Sequence, residues 1–88
     1  MVINSKKIST RVSPDSILIG ATLRALREAA GLTQHDIAVI LKVAFQQVQK
    51  YETGRNRLPI EKMFVLKHFY AVPYEKFFEN LRPPRFKG

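Results

Sequence analysis

Residues 33–54 read TQHDIAVILKVAFQQVQKYETG, and this stretch decides the fold. Thr33 is a residue type that caps helices, and Asp36, three positions on, can bond back to the cap amide as a capping box. Ile37, Ala38 and Leu41 follow at helical spacing on one side, and that helix is expected to end near Lys42. A second short helix is predicted from about Ala44 to Thr53, with Val48 and Tyr51 on its inner side and Gly54 as its stop. Two short helices joined by so brief a turn make a helix-turn-helix: the second lies across the first, one side packed and the other free.

The free side of the second helix carries Phe45, Gln46, Gln47, Gln49 and Lys50. A glutamine amide can pair bidentately with N6 and N7 of adenine, and a lysine can donate to O6 and N7 of guanine. A helix of this kind fits a DNA major groove. Glutamine is also a good former of solvated helix surface, so composition alone leaves both readings open. Its placement in this helix favours base reading.

Either side of this pair the chain continues to read as helices joined by short turns. Ser13-Pro14-Asp15 opens a helix: Ser13 can cap it, Pro14 has no amide hydrogen to leave unpaired, and Asp15 suits the positive end of the dipole. Ile19, Leu23, Leu26 and Ala30 form its apolar stripe, and Gly31 stops it. Downstream, Pro59 is expected in the first turn of a fourth helix with Met63, Leu66, Phe69 and Tyr70 as its buried stripe. Val72-Pro73 breaks that helix and starts a short fifth one carrying Phe77, Phe78 and Leu81. The expected architecture is all-α, a compact five-helix domain over 14–81, with a flexible basic arm at 1–13 and an extended basic tail at 82–88.

The charge is distributed unevenly. Of a net +8, the arm holds +3, the tail +3 and residues 42–57 another +3, while the rest of the domain is close to neutral. A basic focus beside a free helix face suits a polyanion; basic ends also occur as plain solvating tails. In 88 residues there is material for one core and no separate effector domain, so no small-molecule effector is expected. The absence of cysteine removes thiol catalysis and thiolate metal sites and fits a cytoplasmic protein. The opening residues contain no apolar run of signal-peptide or membrane-spanning length. His35 and His68 stand apart without ligand spacing, and no Ser-His-Asp or paired-carboxylate arrangement occurs. A non-enzyme without metal or cofactor is expected, with His35 at the surface near DNA and His68 a polar residue of the fourth helix.

Residues 19–80 resemble the helix-turn-helix family of phage lambda Cro and the lambdoid repressors, also called the xenobiotic-response-element family. The signature runs through Leu32-Thr33-Gln34, Ile37-Ala38 and Val48-Gln49-Lys50-Tyr51-Glu52-Thr53-Gly54. The string from Phe45 to Glu52, followed by Arg55-Asn56-Arg57, is similar to small transcriptional regulators of alphaproteobacteria. The resemblance implies a sequence-specific transcriptional regulator, a homodimer on a double-stranded DNA operator. It gives Gln34 a phosphate contact and a bracing role toward the recognition helix. Phe45, Gln46, Gln47 and Lys50 would reach base edges or adjacent phosphates, and the loop Arg55-Asn56-Arg57 would grip the backbone. Arg27 and Glu52 match an internal ion pair of structural use. The family usually dimerises through its last helix, which makes Phe77, Phe78 and Leu81 the candidate seam; ordinary core packing is the other reading of that apolar group.

Three departures from the family pattern stand out. Lys42 occupies a turn position where many members have Gly. Ala44 replaces the usual Ser or Thr cap of the recognition helix, a loss of ~1 kcal/mol of capping. Phe45 cannot hydrogen-bond a base; it would touch a thymine methyl or else pack inward. Two other functions fit the same residues: an antitoxin that represses its own operon and masks a toxin, and a protein-interaction module that has lost DNA binding. Gln34, the amide-rich helix and the local +3 charge weigh against the second.

Overall fold

A computed structural model describes residues 12–86 of the chain, so residues 1–11 of the expected arm and 87–88 of the expected tail lie outside the described residues. The first helix, α1, spans Pro14–Ala29. Ser13 caps it by accepting from the Ser16 amide at 3.5 Å, and Gly31 follows at φ +71. Helix α2 spans Gln34–Leu41 and opens with the reciprocal Thr33–Asp36 capping box. Helix α3 spans Phe45–Glu52 with Ala44 at its N-cap, where no side chain caps it. Helix α4 spans Ile60–Tyr70 and starts one residue after Pro59, which stands at the cap. The chain closes with a five-residue 3₁₀ helix, Tyr74–Phe78, and an exposed segment over residues 82–86. The fold is all-α, and the described residues contain no strand.

The core gathers Leu23 of α1, Ile37, Ala38 and Leu41 of α2, Val48 and Tyr51 of α3, Met63 and Leu66 of α4, and Phe77 of the 3₁₀ helix. Helix α3 packs against both α1 and α2, which fixes it as the central strut. Its seat on α1 is unusually close. A Cβ on Gly20 would stand 2.5 Å from the carbonyl oxygen of Tyr51, and one on Gly54 would stand 2.6 Å from Cα of Ile17. Only glycine fits at either point, and Gly54 at φ +78 also takes the left-handed turn that ends α3.

Polar ties complete the assembly. Lys62 of α4 donates to the Leu41 carbonyl at 2.7 Å, satisfying a backbone acceptor that the end of α2 leaves open. Asn80 donates to the buried Thr22 hydroxyl at 3.0 Å and holds the C-terminal segment against α1.

Four expectations need correction. Ala30 is exposed, because α1 ends at Ala29 and Ala30 is its C-cap. Phe69 is 47% exposed: α4 is apolar on nearly every side, so its periodicity does not say which side faces the core. The fifth helix is a 3₁₀ turn that stops at Phe78, leaving Leu81 beyond it and half-buried. Phe77 is 1% exposed and belongs to the core of its own chain, so it has no surface left to offer a second copy.

Candidate nucleic-acid interface

The free side of α3 is set by what its other side must bury. Val48, Tyr51 and Glu52 point inward, which leaves Gln46, Gln49 and Lys50 exposed. Gln34 of α2, Thr53 and Arg55 join these three around one open hollow. A second hollow, also bordered by Gln34 and Thr53, takes in Arg24, His35 and Phe45. The N-terminus of α2, the free side of α3 and the start of the following loop thus form one continuous polar and basic surface.

Not every candidate residue stands free. Gln47 is half-buried, and its amide donates to Asn56 Oδ1 at 3.3 Å. That bond, with the Asn56 amide donating to the Lys50 carbonyl at 3.2 Å, folds the 55–57 loop back over the end of α3. Arg55, Asn56 and Arg57 are all exposed. Phe45 is half-buried outside the core cluster; its ring lies parallel to that of His35, with centroids 4.3 Å apart and planes 7° from coplanar. It neither packs into the core nor stands alone.

Beneath this surface lies a network that sets the pose of α3 on α1 and α2. The Arg27 guanidinium clasps both oxygens of Glu52, Nε to Oε2 at 2.6 Å and a terminal nitrogen to Oε1 at 3.0 Å. Arg27 also donates to the Leu32 carbonyl at 3.0 Å, and Gln34 Nε2 donates to Glu52 Oε1 at 2.9 Å. Its hydrogen bond to Glu52 raises the Arg27 pKa above the ordinary arginine value; burial works the other way, and the Glu52 charge adds to the rise. Burial pushes the neighbouring Tyr51 phenol up as well. Side-chain exposure is 12% for Arg27 and 5% for Glu52, so solvent screens the pair little. One carboxylate at the end of α3 therefore anchors three helices. It also holds Gln34 by its amide nitrogen.

Three features of the candidate site are not expected from the sequence pattern. The His35 ring stacks on Phe45 ten positions away. Gln47, expected on the free side of α3, is bonded to Asn56. Arg24, at the surface, pairs with Glu28 at 3.2 Å one helical turn on. His68 meets Phe64 edge-on at 4.6 Å, and among the described residues no group of His, Cys, Asp and Glu is arranged to hold a metal ion. No described helix is long and apolar enough to cross a membrane.

Comparison with known proteins places this geometry. The family described as a helix-turn-helix domain matches residues 18–73. A protein of Rhodospirillum rubrum described as an uncharacterised transcriptional regulator in the ATPase CF(0) region is 39% identical over 72 residues, covering 80% of this chain and 67% of that protein. An uncharacterised helix-turn-helix-type transcriptional regulator of Sinorhizobium medicae is 34% identical over 80 residues, covering 91% of this chain and 55% of that protein. The chain thus spans between half and about two thirds of these relatives' lengths. Among solved structures, the restriction-modification controller protein C.AhdI of Aeromonas hydrophila shares the fold, with a TM-score of 0.68 at 24% identity over 75% of this chain and all of that one.

Proposed function

Because this chain belongs to the helix-turn-helix domain family, we propose that it is a sequence-specific DNA-binding regulator of transcription that lays α3 in the major groove. The observation that carries this is the shared hollow in which Gln46, Gln49 and Lys50 stand free beside Gln34 and Arg55. Base-edge donors and acceptors and backbone-directed groups thus come together on one side. In this reading Gln46, Gln49 and Lys50 read base edges, while Gln34, Arg55 and Arg57 set register on phosphates. Gln47 and Asn56 hold the loop in place for those contacts, Asn56 with its amide bonded to α3. Arg27 and Glu52 act structurally, by fixing the angle of α3. The protein works by binding rather than by catalysis, and it works where the chromosome is, in the cytoplasm.

The regulator acts as a homodimer. Of the expected seam, Phe78, 39% exposed, and the half-buried Leu81 are left at the surface once Phe77 is taken into the core. A twofold arrangement would present two α3 helices to successive major grooves ~34 Å apart. Selection from a random duplex library tests both statements at once. The expected product is an enriched inverted repeat with half-sites about one helical turn apart. Enrichment of a single half-site would sink the dimer, and no enrichment above the input library would sink sequence-specific binding altogether.

A further inference from the structure

We propose that His35 is a positioning residue for base reading: its imidazole backs the Phe45 ring so that the ring's free side meets the C5-methyl of a thymine. The inference rests on the DNA-binding reading above and deepens it by assigning one base-specific contact to an apolar plate. His35 is the second residue of α2 and Phe45 the first of α3, so the stack bridges the N-termini of the two helices across the turn. Those ends border the same hollow as Gln34, the α2 side chain assigned to phosphate.

Several features make the stack more than a chance contact. The rings lie within 7° of parallel with centroids 4.3 Å apart, face to face and slightly closer than the ~4.5–7 Å usual for aromatic pairs. Phe45 has no place in the core cluster, and the imidazole covers one face of its ring. Ala44 supplies no side-chain cap, so the start of α3 lacks the usual local fastening, and the stack ties it to α2. A phenyl ring offers no hydrogen bond. The one feature of the major groove that it can recognise is the thymine methyl, the apolar group that separates thymine from cytosine. A ring free to rotate would lose side-chain freedom on contact, which offsets part of what burying the methyl contributes.

Deoxyuridine in place of thymine removes that methyl and leaves every hydrogen-bonding group of the base pair unchanged. The probe is the duplex that the wild-type protein itself enriches, carrying one deoxyuridine at each thymine in turn. At one position per half-site the wild-type protein should lose about fourfold in affinity, the factor that ~0.8 kcal/mol for one buried carbon corresponds to. Phe45→Ala should show no such loss. His35→Ala should bring the thymine-to-uracil ratio close to one, and His35→Phe, which keeps a stacked ring, should restore the ratio. His35 is exposed, so these variants should fold, with His35→Ala melting slightly below the wild type for want of the stack. A wild-type protein that binds its selected duplex yet ignores deoxyuridine at every position overturns this inference and leaves the regulator reading intact. So does a His35→Ala variant that keeps the full thymine preference. A protein that binds no duplex overturns both.

Discussion

The Tyr51 carbonyl oxygen occupies the space where Gly20 would carry its first side-chain carbon, 2.5 Å from that point. Helix α1 can therefore touch the backbone at the end of α3 only because residue 20 has no side chain. In an exposed helix, Gly→Ala stabilises by ~1 kcal/mol through propensity. Here the sign should reverse, since the obstacle is backbone and cannot turn aside. Gly20→Ala is expected to cost about 1–3 kcal/mol net, the usual range for overpacking, and urea denaturation measures it. A stabilised variant would mean that the two helices separate at little cost.

Removing one partner of the Arg27–Glu52 pair should be far worse than removing both. Arg27→Met leaves the Glu52 carboxylate, 5% exposed, with Gln34 as its remaining side-chain donor, at an expected ~3–5 kcal/mol. The double variant Arg27→Met with Glu52→Leu should cost well under the sum of the single changes. It should nevertheless weaken DNA binding, because Gln34 loses its anchor. A double-mutant cycle by urea unfolding decides the matter, and additive single effects would show that the pair is not coupled.

Lys42 sits at φ 57, ψ 46 and ends α2 in the left-handed region without the freedom of glycine. An exposed lysine there carries steric strain of ~1–2 kcal/mol against a glycine's larger chain entropy. Lys42→Gly should stabilise the fold by roughly 0.5–1 kcal/mol as the difference. Thermal denaturation would show a higher midpoint; an unchanged or lower one would mean that the turn relaxes around lysine without strain.

The capping box at the start of α2 makes stability depend on acid. The Thr33 backbone amide, at 2.8 Å, and then the Thr33 side chain hold the Asp36 carboxyl below its ordinary value. A depressed folded pKa contributes stability that is present above the unfolded value of about 3.9 and lost as pH falls through the folded value. Asp36→Asn should be less stable than wild type at neutral pH, and the gap should close in strong acid. Urea midpoints taken across that range test the sign. A gap that stays constant with pH would assign the difference to something other than the ionised carboxylate.

Phosphate-directed and base-directed residues should part company in salt. Arg55→Ala should weaken binding about equally on selected and random duplex and lower the salt slope by roughly one unit. Gln46→Ala should lose ~1–3 kcal/mol on the selected duplex alone and leave the slope nearly unchanged. Binding titrations at several salt concentrations on both duplexes separate the two. A Gln46 variant that retains full preference would move the reading surface elsewhere on α3.

The helix ends are legible in the sequence because their causes are local. Ser13, the Thr33–Asp36 box, Gly31 and Gly54 act on backbone groups within a few positions, and the stripes of α2 and α3 repeat every three or four residues. Where a helix is apolar on nearly every side, that logic gives out: Met63 and Leu66 of α4 are buried and Phe69 is not, with no difference in their chemistry to say so. The same limit applies at the C-terminal edge, where Phe77 and Phe78 are identical neighbours in sequence and opposite in exposure. Which of them goes inside depends on the direction in which a five-residue 3₁₀ turn happens to aim each ring.

The family signature marks the outline of the candidate site from residue types at fixed spacing, and the free positions Gln46, Gln49 and Lys50 follow from the inward pull of Val48 and Tyr51. Contacts between distant residues follow no such rule. Gly20 against Tyr51, Gln34 on Glu52, Gln47 on Asn56 and His35 on Phe45 depend on how closely helices approach and at what angle. Those quantities belong to the packed chain as a whole, since each is a compromise among all the side chains that must share one small core.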